Sequence, residues 1–209
     1  MWQIDPAGRR GIGPFQRSWA HGELMKLQTK ERTVGKRSAI TTLRREGFLP
    51  AVVYSKKSGS QTIAVSQADF EGALRTMKEG HLPTTVFEIT VDGKAVKAVV
   101  KDIDYHPTTY AIRHLDFQIL EAKTPLKVNV PIVCYGVADC AGIKLGGMLR
   151  QVRRHIPVLT TPENLPTHFK AHVKNLGLKQ SLKASALELG DGVKSLFPLS
   201  EVVVTIAKR

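Results

Sequence analysis

The chain has 209 residues, 42% of them hydrophobic, and its 31 Lys and Arg outnumber its 18 Asp and Glu, for a formal net charge of +13. This hydrophobic fraction supports a folded core and excludes wholesale disorder, and no apolar run approaches the roughly 20 residues that cross a bilayer. The cationic excess favours a polyanionic partner, nucleic acid before anionic membrane, because no long basic amphipathic helix is evident.

Residues 1–24 show neither a helical nor a strand period. They contain Arg9, Arg10 and Arg17 but lack the apolar segment of a secretory signal. Two interpretations stay open: an unstructured basic extension, or an over-extended start with Met25 as the true first residue. The orderly pattern that begins at Met25 favours the second.

Residues 25–121 predict a domain of several strands and two short helices. Ser38 is a predicted N-cap for a first helix, and Ser66 with Asp69 resembles a capping box that opens a second. Asp92-Gly93 predicts a tight hairpin turn. Alternating or β-branched runs predict strands at 25–31, 51–54, 62–65, 86–91, 96–100 and 112–119.

The strand predicted at 112–119 has two different faces. Its period of two places Leu115 and Phe117 on one face, and His114 and Asp116 on the other. The polar face is a candidate surface for reading RNA, because Asp accepts from base amino groups and His donates to base edges or 2′-hydroxyls. A cross-strand ion pair explains the two side chains equally well. A nuclease pair is less favoured, since no nucleophile or third member stands nearby.

Helical patterning is almost absent from residues 122–209, which predict a mainly β C-terminal domain. Its predicted strands are 126–133, 148–152, 156–159, 169–173 and 202–206, separated by Gly and Pro. Gly146-Gly147 predicts a tight turn or a close backbone approach, and not a phosphate-binding loop. Residues 1–120 carry 18 basic against 12 acidic groups (+6), and 121–209 carry 13 against 6 (+7), so both domains have the charge to contact RNA.

The two cysteines, Cys134 and Cys140, lie six residues apart with no second pair. Zinc sites need about four ligands at tighter spacings. We therefore expect no metal, no cofactor and no small-molecule substrate. Two unpaired thiols suit a reducing, cytoplasmic location.

The densest basic segment runs from residue 30 to 57, with only Glu31 and Glu46 opposing its cations. The cations are Lys30, Arg32, Lys36, Arg37, Arg44, Arg45, Lys56 and Lys57. If these elements pack side by side they form one patch for phosphate oxygens; the alternative is a solvated basic face. Tyr54 is either an RNA contact beside that patch or a half-buried rim tyrosine.

Several strings taken together resemble one family in their order and spacing. They are Gly35-Lys36, Leu43-Arg44, 48–54 (FLPAVVY), 91–94 (VDGK), 100–103 (VKDI), His106-Pro107, 114–117 (HLDF), and Gly142 to Gly147 with Leu149. From Met25 to about Ile206 the chain resembles the bacterial large-subunit ribosomal protein family numbered twenty-five, in its two-domain CTC or general-stress form. The resemblance implies an α+β, mostly β protein that is ribosome-associated and is not an enzyme. It also implies that residues 25–121 form a β-barrel with flanking short helices, which binds 5S ribosomal RNA in a widened minor groove.

By position, the resemblance implies RNA contact by Lys36, Arg44, Tyr54, His114 and Asp116. Looser matches are Arg32 and Lys101, and the basic segment adds Arg37 and Arg45. The chain departs from the family at Thr41 and Thr42, where arginines are usual, and at Ser55, where glycine is usual.

The partners implied are 5S ribosomal RNA and the large ribosomal subunit, with the C-terminal domain reaching neighbouring ribosomal RNA or ribosomal proteins. The alternative is an RNA- or tRNA-binding accessory or stress protein that acts off the ribosome.

Overall fold

The computed structural model describes residues 25–32, 35, 37–55, 59–91, 93–121, 124–190 and 192–208. The strands are β1 (Met25–Lys26), β2 (Thr29–Glu31), β3 (Phe48–Ser55), β4 (Gly59–Ser66), β5 (Val86–Val91), β6 (Lys94–Tyr105), β7 (Ile112–Ile119), β8 (Leu126–Tyr135), β9 (Gly147–Gln151), β10 (His155–Thr160), β11 (Phe169–His172), β12 (Ser181–Lys183), β13 (Lys194–Ser195) and β14 (Val202–Lys208). The α-helices are α1 (Arg37–Arg45), α2 (Gln67–Thr76) and α3 (Ala141–Lys144). Short 3₁₀ turns cover Leu82–Thr84, Pro162–Asn164 and Ala184–Ala186.

The first seven strands form one curled sheet in the order β1-β5-β6-β7-β3-β4-β2. Its two edge strands, β1 and β2, are separated in sequence only by Leu27 and Gln28. Leu27 N–H donates to the Glu88 carbonyl, and Thr29 Oγ1 donates to the Thr90 carbonyl at 2.6 Å. These bonds bring the two edges together, so the single strand predicted at 25–31 is instead broken in two to close the barrel.

Aromatic rings fill the barrel interior. Phe70, Phe87 and Phe117 are 0% exposed, with ring centroids 5.9 to 6.5 Å apart. Phe70 belongs to α2, which begins where the Ser66 side chain accepts a hydrogen bond from Asp69 N–H at 3.4 Å. The predicted Ser66 cap therefore marks the start of a helix that closes the barrel core. The reciprocal bond of a capping box is not made, because Ser66 N–H donates to the Gln28 carbonyl and the Asp69 carboxylate accepts from Gln28 N–H.

Helix α1 packs on the outside of the barrel against β3. Leu49 and Ala51 point into the core, so Pro50 between them points outward, as does its β4 partner Ala64. Both outward residues are nevertheless buried. We infer that α1 covers this end of β3 and leaves the other end open.

Two further sheets enclose a second core. One has the order β11-β8-β10-β13 and the other β12-β14-β9, and Val130, Val158 and Phe169 are at most 2% exposed between them. A Cβ built on Gly147 would lie 2.6 Å from the Gly142 carbonyl oxygen, which confirms the predicted close backbone approach. The mainly β, α+β class is thus confirmed, whereas a division of the chain near residue 121 stays a prediction.

The barrel (β1–β7) and the two sheets of the second core (β8–β14) are the two parts of the chain, and they meet at a packed junction. Val86 and Val99, on the outer face of the first sheet, are buried in the second core. Thr84 is 4% exposed, and its hydroxyl proton is shared between the His81 carbonyl at 2.9 Å and the Thr167 carbonyl at 3.1 Å. Lys101 Nζ donates to the Lys127 carbonyl at 2.7 Å. These contacts tie the barrel to the second core.

Candidate RNA-binding surface

β3 and β7 lie side by side as parallel strands, with Val52 opposite Asp116 and Tyr54 opposite Gln118. The alternate residues of both strands are buried in the barrel core, so these side chains and His114 point outward. We call Val52, Tyr54, His114, Asp116 and Gln118 the β3–β7 face. All five are partly exposed, and the predicted alternation along 112–119 is confirmed.

His114 and Asp116 are in direct contact, with Nδ1 of the imidazole 2.8 Å from Oδ1 of the carboxylate. An ionised carboxylate only accepts hydrogen bonds, so a neutral His114 carries its proton on Nδ1 and offers Nε2 as an acceptor. A protonated ring would donate from Nε2. The side chains are 33% and 41% exposed, so a ligand can reach both. The two side chains therefore pair with each other along one strand and not across to a neighbouring strand.

Carboxylates surround the centre of this face. In the β6–β7 register, Asp102 stands opposite Asp116 and Asp104 stands opposite His114. Burial raises the pKa of the Tyr54 hydroxyl, and the charges of Asp116 and Asp102 raise it further. The phenol therefore stays protonated and can donate a hydrogen bond, while the neighbouring carboxylates accept.

Arginines lie beside this acidic centre. Arg44, in the last turn of α1, donates from Nη2 to the Arg113 carbonyl at 2.9 Å, which ties the helix to the start of β7 next to His114. Arg113 Nε in turn lies 3.8 Å from Asp104 Oδ2. Arg45 follows Arg44 and is exposed. The carbonyl contact occupies one of the five N–H donors of Arg44.

Arg32 lies on the other side of the face, beyond β4. The backbone N–H of Arg32 donates to the Thr62 carbonyl, and the Thr62 hydroxyl donates to the Arg32 carbonyl at 2.6 Å. Thr62 pairs with Val52 of the β3–β7 face. Within the described part of the chain, Arg32 Nε is buried without a hydrogen-bond partner.

Of the remaining predicted residues, Lys101 is not brought to this face. Lys101 is directed to the junction by its bond to the Lys127 carbonyl, and burial followed by the charge of Lys127 lowers its pKa. Lys36 and the side chain of Arg37 lie outside the described residues. The structure therefore brings Arg44, Tyr54, His114 and Asp116 together.

Sequence models of two protein families match the chain. The Ribosomal L25p family matches residues 27–117 and the "Ribosomal protein TL5, C-terminal domain" family matches residues 125–209. The protein named "Large ribosomal subunit protein bL25" of Chlamydia muridarum is 40% identical over 185 residues, 88% of this chain and 100% of that protein. Its namesakes in Chlamydia pneumoniae and Chlamydia trachomatis serovar L2 are 39% and 41% identical over the same shares.

The chain belongs to the ribosomal L25p family. The two family matches confirm the two-domain family resemblance read from the sequence. Because the family is structural and non-enzymatic, the nuclease alternative for His114 and Asp116 is excluded. The match to the first family model covers Val52, Tyr54, His114 and Asp116.

The described residues contain no helix long and apolar enough to span a bilayer. Nor do they contain a group of three His, Cys, Asp or Glu side chains able to hold a metal ion.

Sequence reasoning about this L25p chain missed Asp102, Asp104 and Arg113 as members of the surface. Asp102 and Asp104 alternate along β6, which is the signal that could have placed them on one face. However, the register between β6 and β7 shifts twice, between Val100 and Asp102 and between Asp104 and Tyr105. Neither irregularity is visible in the local pattern of residues.

Proposed function

We propose that the chain binds 5S ribosomal RNA through the β3–β7 face, with arginines on both sides of that face holding the phosphate backbones. The general role of the chain follows from its family. The matched relatives are named large ribosomal subunit proteins, and the chain is a structural constituent of the large ribosomal subunit, hence cytoplasmic and ribosome-associated.

One observation carries the proposal: Arg44, Tyr54 and the His114–Asp116 pair, distant in sequence, lie on adjoining elements of one outward face. A basic patch alone would support only electrostatic attraction. Here a fixed pair of polar side chains lies beside the cations, which is what recognition of base edges or sugars requires in addition to charge.

The charges suggest how RNA lies on the face. Carboxylates repel phosphates, so Asp102, Asp104 and Asp116 would face base edges, where the guanine N2 amino group is a minor-groove donor. Arg44, at the start of β7, and Arg32, beyond β4, lie at two edges of this face and would contact the phosphate backbones. Such an arrangement fits the wide, shallow minor groove of an RNA helix, which proteins recognise through its shape and 2′-hydroxyls.

A titration of affinity against salt tests the cationic part. We expect binding of the full chain to 5S RNA to fall steeply with KCl, and Arg44→Ala to reduce the log–log slope by about 0.7–0.9, the value for one phosphate contact. Arg75→Ala is the matched control, because Arg75 is exposed and pairs with Glu71 on α2. Salt-independent binding, or equal effects of the two variants, would refute the docking of Arg44.

A second variant separates readout from attraction. Asp116→Asn keeps the shape of the side chain but removes its charge and half of its acceptor capacity. We expect a smaller preference for 5S RNA over an unrelated duplex, with an unchanged salt slope. If Asp116→Asn strengthens binding to both RNAs equally, the carboxylate only repels phosphate and reads nothing.

The family match favours the ribosomal role over the off-ribosome accessory role considered from the sequence. Co-sedimentation of the chain with large ribosomal subunits, lost with Arg44→Ala and kept with Arg75→Ala, would support docking through the β3–β7 face. Retention on the subunit regardless of Arg44 would mean that another surface docks.

A further inference from the structure

Four planar rings form a row at the junction of the two parts of the chain. The His81 and His168 ring centroids are 5.7 Å apart, those of His168 and Tyr135 are 6.2 Å apart, and those of Tyr135 and His172 are 6.1 Å apart. The last two pairs have interplanar angles of only 31° and 35°. We call His81, Tyr135, His168 and His172 the junction rings.

Strand geometry explains the row. Phe169 and Ala171 are 2% and 0% exposed, so their neighbours His168, Lys170 and His172 all point outward. In the parallel pairing of β11 with β8, His172 stands directly opposite Tyr135.

Hydrogen bonds hold the rings in place. The Tyr135 hydroxyl lies 3.1 Å from His168 Nε2, and the Thr167 hydroxyl lies 3.2 Å from His168 Nδ1. Both ring nitrogens of His168 are therefore engaged, and the barrel residue His81 packs edge-on against the same ring. Tyr135 and His168 are therefore preorganised, so stacking a planar ligand on Tyr135 would cost little side-chain entropy.

Part of this ring surface is open to solvent. Tyr135 is 38% exposed and His172 is exposed, while His81 and His168 are half-buried. A large aromatic side chain at the end of a β-strand has apolar area to gain by burial against a partner. The barrel does not cover Tyr135 and His172.

Lysines lie beside the rings. Lys170 shares the outward side of β11, and a Cβ built on Gly136, the residue after Tyr135, would lie 3.3 Å from Lys174 Cβ. Burial lowers the pKa of His81, and the charges of His168, Lys78 and His155 lower it further. Exposed rings between lysines match the chemistry of single-stranded nucleic acid, whose bases stack and whose phosphates attract cations.

We propose that the junction rings are a second RNA-binding site, which stacks unpaired bases on Tyr135 and His172 while Lys170 and Lys174 contact the flanking phosphates. The site differs from the β3–β7 face in its ligand, because it takes splayed-out bases and not a duplex groove. It does not require that the chain bind 5S RNA.

The probe is a fluorescently labelled, unstructured twelve-residue oligoadenylate, with anisotropy measured on the full chain. Tyr135→Leu removes the ring but keeps an apolar side chain, and Tyr135→Phe keeps the ring but removes the hydroxyl. We expect Tyr135→Leu to weaken binding at least about fivefold, and Tyr135→Phe to stay within about twofold of the original chain. Circular dichroism of each variant checks that it is folded.

Two further readouts keep this site separate from the β3–β7 face. Oligoadenylate should shift the imidazole proton resonances of His168 and His172. The Arg44→Ala variant should keep the affinity of the chain for oligoadenylate unchanged while its binding to 5S RNA becomes weaker. The proposal is overturned if Tyr135→Leu binds as well as the original chain, or if Tyr135→Phe is as weak as Tyr135→Leu. It is also overturned if polyglutamate binds more tightly than the oligonucleotide, which would indicate a protein-docking surface.

Discussion

The β3–β7 face and the junction rings differ in their side chains, and we expect them to bind RNA of different structure. The first has carboxylates at its centre and arginines at its sides, and it lies on neighbouring strands of one sheet. The second has aromatic rings at its centre and lysines beside it, and it draws residues from both parts of the chain. A strongly basic chain thus need not use its charge uniformly, since the side chains between the cations decide which RNA structure fits.

The largest effects are expected from two core variants, which test whether the barrel and the second core unfold together or separately. Phe117→Ala removes a fully buried ring from the barrel core and should cost about 3–5 kcal/mol, and Phe169→Ala should cost about as much in the second core. Denaturant unfolding, followed by circular dichroism, measures both. Because Val86 and Val99 lie in the second core, we expect one shared transition. Two separate midpoints, with each variant lowering only one, would contradict a coupled junction.

Two glycine substitutions compare a position with no room for a Cβ atom, Gly147, with one that has room, Gly72. A Cβ on Gly147 would lie 2.6 Å from the Gly142 carbonyl oxygen, so Gly147→Ala should destabilise the second part by about 1–3 kcal/mol. Gly72 lies in α2 with nothing within 4 Å of such a Cβ, so Gly72→Ala should stabilise the chain by about 0.4–1 kcal/mol. Thermal unfolding compares the two. Equal effects would mean that the close approach at Gly147 relaxes without cost.

The helix cap of the barrel gives a smaller effect. Ser66→Ala removes the acceptor of the Asp69 N–H bond and should lower the free energy of unfolding by about 1 kcal/mol. Ser66→Asp, which restores an acceptor, is the control and should recover most of that loss. If Ser66→Ala is neutral in denaturant unfolding, the cap contributes nothing to α2.

The smallest effect is a dependence of stability on pH at the junction. Burial, followed by the charges of His168, Lys78 and His155, lowers the pKa of His81 below its ordinary 6.5. The unfolded chain therefore binds more protons, and the His81 contribution to stability, intact above pH 6.5, declines as the pH falls through the lowered folded pKa. His81→Gln should flatten this part of the curve of melting temperature against pH. An unaltered slope would assign the dependence to other groups.

The sequence predicted most of the barrel because its signals are local. Alternation in 112–119 placed His114 and Asp116 outward, and Ser66 with Asp69 marked the start of α2. The barrel closure was missed because the break at Leu27-Gln28 follows from pairing with both sheet edges. Lys101 was expected at the RNA surface, yet its side chain reaches Lys127, since the β-bulge beside it depends on strand register.

The junction rings could not have been found from the sequence. Tyr135 and His172 are neighbours only because β11 pairs with β8 in parallel, and His81 joins them only because the two parts of the chain pack together. In the sequence these residues are isolated and separated by as many as 91 positions, from 81 to 172. The spacing of conventional motifs carries no such information.

Hydroxyl-radical footprinting of 5S RNA, with the full chain and with Arg44→Ala, shows where the β3–β7 face binds. We expect riboses on both strands of one internal-loop helix to be protected across a minor groove, and Arg44→Ala to expose one of the two strands first. Protection confined to a single-stranded loop, or a pattern that Arg44→Ala leaves intact, would contradict recognition of a groove by the β3–β7 face.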